Sequence, residues 1–232
     1  MIKLNICASR VPGMTHAEFC RYLKDNHARL VLGTQPVAHF LKSYVQHHVF
    51  DSAYRSNAPS VRYDSVSHIT MASIEDQMAA VQTREYTESI APDESNFADT
   101  QTTMFLMLQE RELYSVMRGP SQFRLLHYMR ASSSTSSEAL QEHWEVAHVD
   151  VLRENAALRL AVRRAVLHHA LPGPFGVPLY SGMCELGFIE MNEVPTFCQY
   201  ARDVETRLGT SIERDKSFFL LSEAVPVHGS IW

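Results

Sequence analysis

Residues 2–8 alternate apolar and polar side chains, the pattern of a strand with one buried face. The period changes after Pro12 and Gly13. Phe19, Leu23, Leu30 and Val31 recur at helical spacing behind Thr15 and Glu18, which are spaced for a capping box. This helix is expected to reach about Leu32, with Gly33 as its stop. Residues 38–50 are rich in aromatic and β-branched types and predict a second strand, and 51–62 predict a loop. A third strand is predicted at 65–72 and a helix at 74–82 capped by Ser73. A looser helix and a fourth strand at 104–110 complete the order β-α-β-β-α-β, a ferredoxin-like unit.

The pattern then starts again. Residues 123–129 predict a strand, a Ser-rich run at 132–137 leads into a helix at 138–155, and 158–171 contain a strand. A Pro/Gly loop at 172–178, a strand at 180–190, a helix at 193–208 and a strand at 216–224 follow. An offset of 121 pairs His27 with His148, His47 with His168, His48 with His169, Phe19 with Leu140, Leu23 with Trp144 and Val31 with Leu152. Further on the offset slips to 117, pairing Tyr63 with Tyr180. Repetition on this scale predicts a duplicated unit: a first repeat at 1–116, a linker at 117–122 and a diverged second repeat at 123–232. Each unit would leave one sheet face bare. The expected fold is therefore α+β, two tandem ferredoxin-like repeats burying those faces against each other as a barrel within one chain.

Composition adds exclusions. Hydrophobic residues make up 45% and charged residues 20% of the 232, ordinary for a globular protein. A net charge of −5 offers no basic field for nucleic acid or an anionic membrane. No apolar run resembles a signal peptide or a membrane span. Cys7, Cys20, Cys184 and Cys198 are scattered, which predicts reduced thiols and a cytoplasmic location. The 12 histidines change the picture most.

His27 lies on the apolar stripe of the first helix, between Leu23 and Leu30. It is either a core imidazole tied to a carbonyl or carboxylate, or a general acid/base facing a ligand. Tyr44, Gln46 and His48 share one strand face, which would suit holding and protonating an enolate oxygen. The same face could equally be solvated. His47 points the other way, so it cannot share a pocket with His48. His68 has the parity of Asp64, a carboxylate able to orient it. In the second half His148 repeats His27, Trp144 narrows the space one turn earlier, and Phe175 with its Pro/Gly loop could wall a pocket there. No metal site is predicted, because His47 and His48 diverge and no other histidine spacing brackets a carboxylate. No dinucleotide fingerprint or phosphate loop occurs, so nucleotide binding is not predicted, and no nucleophile elbow occurs either.

The stretches Arg10-Val-Pro-Gly-Met-Thr-His-Ala-Glu-Phe19, His27-Ala-Arg-Leu-Val31 and Tyr44-Val-Gln-His-His-Val49 resemble EthD-domain proteins of the dimeric α+β barrel superfamily. The resemblance covers the first half. The second half resembles the family only as a diverged copy, without the Pro-Gly-Met connection and the tyrosine. It implies the barrel fold and a tailoring role in polyketide-type metabolism: dehydration, cyclisation or decarboxylation without a cofactor. The superfamily also holds cofactor-independent monooxygenases and haem proteins. On this reading His27, His48 and Tyr44 are catalytic, and Gln46, His47, His68, Asp64, His148 and Trp144 bind substrate. The expected partner is a hydrophobic, oxygenated small molecule. A homodimer is compatible, although the internal repeat can replace it. The alternatives are a monooxygenase of the same fold and a non-catalytic ligand-binding protein.

Overall fold

A computed structural model describes residues 1–51, 63–115 and 121–229. Strand β1 (Ile2–Ala8) is followed by α1 (His16–Tyr22), a π-helical turn (Leu23–His27), α2 (Ala28–Gly33) and α3 (Gln35–Ala38). Then come β2 (Ser43–Val49), β3 (Ser65–Met71), α4 (Ile74–Gln82), a second π turn (Tyr86–Ile90), α5 (Ala91–Glu94) and β4 (Met104–Ser115). The second half repeats the order with β5 (Phe123–Met129), α6 (Ser137–Glu154), α7 (Ala156–Ala161), β6 (Arg164–Leu171), β7 (Gly182–Phe188), α8 (Val194–Leu208) and β8 (Phe218–His228).

The eight strands close into one antiparallel barrel in the order β1-β3-β2-β8-β5-β7-β6-β4. Within it β4-β1-β3-β2 and β8-β5-β7-β6 are quartets of the same order, joined by the seams β2–β8 and β4–β6. Corresponding strands begin 121 residues apart for β1 and β5 (123 − 2) and for β2 and β6 (164 − 43). The separation falls to 117 for β3 and β7 (182 − 65) and 114 for β4 and β8 (218 − 104). Closure matters physically because every strand gains two neighbours and no edge is left to pair elsewhere.

Local chemistry explains the helix starts. Thr15 accepts from the Glu18 backbone N–H at 3.3 Å while Glu18 accepts from the Thr15 N–H at 2.8 Å, the reciprocal box expected. Ser73 caps α4 through the Asp76 N–H. One boundary differs. Residues 38–42 belong to the end of α3 and its exit rather than to β2, because Pro36 in its first turn is pre-set for a helical start. The expected linker 117–122 overlaps the described residues only at Ser121 and Gln122, and the expected loop 51–62 only at Asp51. Among the described residues no helix is long and apolar enough to cross a membrane.

Strand alternation creates two environments. Inward-facing residues such as Val66, Leu106, Leu126, Tyr128 and Phe218 fill the barrel. Outward-facing residues pack beneath helices, as a continuous core in the second half and as separate clusters in the first.

Candidate active site

A cavity of about 500 Å³ lies between the outer face of the first quartet and its helices. Leu4, Ile6 and Ala8 of β1, Tyr44 of β2, Ser65, Ser67 and Ile69 of β3 and Phe105 of β4 form its floor. Leu23, His27 and Val31 cover one side; Gln77, Val81, Tyr86, Ile90, Glu94 and Phe97 cover the other. Pro174 and Phe175 reach over from the second half, with Phe175 stacked on Phe105 at a centroid distance of 5.0 Å and 19°. The size suits a small-molecule ligand, and the lining is mostly apolar with a few converging polar groups.

His27 ends the first π turn. Such turns re-aim one side chain relative to a regular helix and recur at functional sites. Its Nδ1 lies 2.9 Å from Asp93 Oδ2, and the Phe97 ring packs against it, tilted by 51° at a centroid distance of 4.9 Å. Asp93 also accepts from the Tyr22 hydroxyl at 2.7 Å. A carboxylate at Nδ1 places the proton there and leaves Nε2 with its lone pair, and among the described residues Nε2 takes no hydrogen bond. Burial lowers the imidazole pKa and Asp93 opposes that shift. Glu94, the next residue, faces the same cavity. Burial raises its carboxyl pKa, against a 3.3 Å hydrogen bond from Tyr86. One cavity therefore holds an imidazole whose Nδ1 is fixed on a carboxylate and a carboxyl that is harder to ionise.

Tyr44 lines the cavity as expected. Its oxygen accepts from Gln46 Nε2 at 3.1 Å, so its own O–H remains able to donate. Gln46 is fully buried, ties the Leu23 carbonyl at 3.0 Å and accepts from His48 at 3.1 Å. Gln46 and His48 are absent from the described lining; burial lowers His48 to about 4. The three residues share a face, but only the first reaches the cavity.

The other expected residues are dispersed. His47 and His68 face into the barrel, across the sheet from the cavity, and meet each other at 3.0 Å. Asp64 does not orient His68. It accepts from the Arg10 N–H at 2.8 Å and lies 3.1 Å from both the Arg10 guanidinium and His16 Nδ1, because it sits just before β3 at the barrel rim. His68 turns instead to Asn5 at 3.2 Å. His148 and Trp144 are fully buried in the second-half core, with the His148 ring bonded to the Tyr200 hydroxyl. Phe175 walls the first-half cavity rather than one in its own half. Asp93, Glu94 and Tyr86 carried no signal in the sequence, since helix-borne carboxylates are usually solvated.

An eight-stranded antiparallel α+β barrel with a ligand-sized cavity beneath the helices defines the structural class. Within it, residues 11–101 match the EthD domain. The fold resembles that of an anthrone oxidase-like protein over 100% of this chain and 96% of that one, with a TM-score of 0.66 at 9% identity. It also resembles a candidate monooxygenase from Lactobacillus acidophilus NCFM (97% of each chain, TM-score 0.50, 7% identity). A mutant chlorite dismutase from Candidatus Nitrospira defluvii is matched over 97% of this chain and 92% of that one, with a TM-score of 0.52 at 9% identity. At such identities the likeness is one of fold. No curated protein sequence matches the chain.

Proposed function

We propose that this protein is a small-molecule enzyme using acid/base chemistry next to a carbonyl of a hydrophobic, oxygenated substrate, in dehydration, cyclisation or decarboxylation. The observation that carries the reading is His27: a buried imidazole on an apolar cavity, its Nδ1 held by Asp93 and its Nε2 unclaimed. Nε2 would take the proton from the carbon beside the carbonyl. The Tyr44 hydroxyl would donate to the developing enolate oxygen, and His27 would return the proton it took. The apolar lining suits a fused aromatic or polyketide-type ring system. His27→Ala is expected to fold and to lose turnover by about 10²–10⁴-fold, the usual weight of a general base. A folded His27→Ala protein with full turnover on hydroxylated polycyclic ketones would remove the assignment.

The fold likeness to an anthrone oxidase-like protein favours one second reading, a cofactor-independent monooxygenase. The same base would then deprotonate a phenol or anthrone for reaction with oxygen. Oxygen uptake coupled to substrate loss separates the two; turnover without oxygen supports the first. The cavity does not fit a haem. Its described lining carries no lysine or arginine to meet two propionates, and it presents Glu94 instead.

The halves 1–116 and 123–232 are read as copies of one ferredoxin-like unit, on their equal strand order and shared offsets. The free thiols of Cys7, Cys20, Cys184 and Cys198 fit a reducing compartment such as the cytoplasm. Because the chain closes its own barrel, a second copy is not needed to complete the sheet.

A further inference from the structure

Across the sheet from the cavity, four chemistry-bearing side chains converge inside the barrel. His47 and His168 occupy the same position in corresponding strands (47 + 121 = 168), and so do His68 and Glu185 (68 + 117 = 185). Two positions used twice thus bring three imidazoles and one carboxylate together, two from each half. His47 Nε2 lies 3.0 Å from His68 Nδ1. Glu185 Oε2 lies 3.8 Å from His68 Nδ1 and 3.4 Å from His168 Nε2. One donor atom from each of His47, His68 and Glu185 falls within 4.8 Å of the others. Around a tetrahedral ion with bonds of ~2.0–2.1 Å, neighbouring donors stand ~3.3 Å apart. The observed spacings lie on either side of that value.

Two further observations point to a ligand. His168 Nδ1 is buried without a hydrogen-bond partner among the described residues and its Nε2 meets only Glu185, at 3.4 Å, and such groups call for an explanation. The supporting contacts are also those of a ligand set. Arg124 donates to Glu185 Oε1 at 2.7 Å and leaves Oε2 to the imidazoles. His68 donates its Nε2–H to Asn5 Oδ1 at 3.2 Å, which leaves Nδ1 unprotonated on the side of His47 and Glu185.

We propose that His47, His68 and Glu185 form a buried site for one divalent first-row transition-metal ion that clamps the two halves of the barrel. Two imidazoles and a carboxylate suit Zn²⁺, Co²⁺ or Fe²⁺ rather than Mg²⁺ or Ca²⁺. The cations facing the site are already engaged: Lys3, 3.9 Å from Glu185 Oε2, with Glu110 at 3.0 Å, and Arg124 with Glu185 itself. The ion is structural, because its ligands are enclosed and lie on the opposite side of the sheet from the cavity.

The test uses the full chain, stripped with a chelator and titrated with Zn²⁺ and with Co²⁺. The expected result is one tight ion per chain, a higher melting temperature with Zn²⁺, and visible Co²⁺ bands of four-coordinate intensity. His68→Gln and Glu185→Gln are expected to weaken Zn²⁺ binding by at least tenfold and to lose the Co²⁺ bands. Should these variants fail to fold, the wild-type protein still decides: its melting temperature must fall on chelation and recover with Zn²⁺. A wild-type protein that binds no Zn²⁺ or Co²⁺ and melts identically with and without chelator overturns the site. So does Zn²⁺ binding that is undiminished in folded His68→Gln, which would place the ion on surface histidines.

Discussion

The two halves carry a histidine at the same helical position and treat it oppositely. His27 borders a cavity of about 500 Å³ and leans on a carboxylate; His148 is fully enclosed and leans on the Tyr200 phenol. One turn earlier stand Leu23 and Trp144. The indole, with Phe188, Phe197 and Tyr200, belongs to a continuous core beneath α6 and α8, where the first half keeps open space. The same position therefore borders a cavity in one half and is core packing in the other. What decides is the volume of its neighbour and the charge of its partner, since a carboxylate favours the imidazolium that a base must become and a phenol does so far less.

The largest expected effect tests the functional side. If turnover belongs to the first half, His27→Ala loses it as described above, whereas His148→Gln keeps it and is read out in stability, with a loss of about 1–3 kcal/mol for a broken buried hydrogen bond. Equal losses of turnover in both variants would erase the contrast. Next comes packing. Trp144→Ala should destabilise by about 3–5 kcal/mol in denaturant titrations, as fully buried aromatics do. Leu23→Ala should cost less, because Leu23 already faces open space. Leu23→Trp sharpens the same point: it should fill the first-half cavity and abolish ligand binding while leaving the melting temperature near that of the wild type.

A pH experiment limits the comparison, because the barrel interior belongs to both halves. Burial depresses His47 to about 3 and His168 to about 4. Depressed histidines contribute stability that is present above their unfolded value near 6.5 and is lost as pH falls toward the folded values. Acid should therefore unfold both halves in one transition beginning below about pH 6.5. Two separate steps would show that the halves fail independently. The smallest effect is expected at the rim, where Asp64 raises His16 to about 9. That contribution is present below about 6.5 and lost as pH rises through about 9, so His16→Ala should flatten a slight alkaline decline in melting temperature. Asp93→Asn should move the acidic limb of the rate profile to lower pH, because Asp93 holds the His27 pKa up against burial.

Much of the fold was legible along the chain because it rests on local codes. Strand alternation, the Thr15–Glu18 box, the Ser73 cap and the slip in offset from 121 to 117 all reappear in the structure. So does the divergence of His47 from His48, which follows from the two-residue period of a strand. Also legible were the place of His27 on an apolar helix stripe and the shared strand face of Tyr44, Gln46 and His48. The partners were not. Asp93 lies 66 residues from His27 and Glu185 lies 117 from His68, and no spacing rule relates side chains that meet only through packing. Asp64 shows the opposite failure: its parity suited His68, but its place just before β3 brought it to Arg10 and His16 instead.

By itself, then, the sequence determined which segments are strands and helices, which faces are apolar, and that the pattern occurs twice, because each depends on neighbours a few residues away. Only the tertiary structure decided that one half is hollow and the other solid. The width of the space beneath the helices is the sum of many side-chain volumes from distant segments. Trp144 closes that space in one half, and Phe175 reaches across from the same half to roof the space left open in the other.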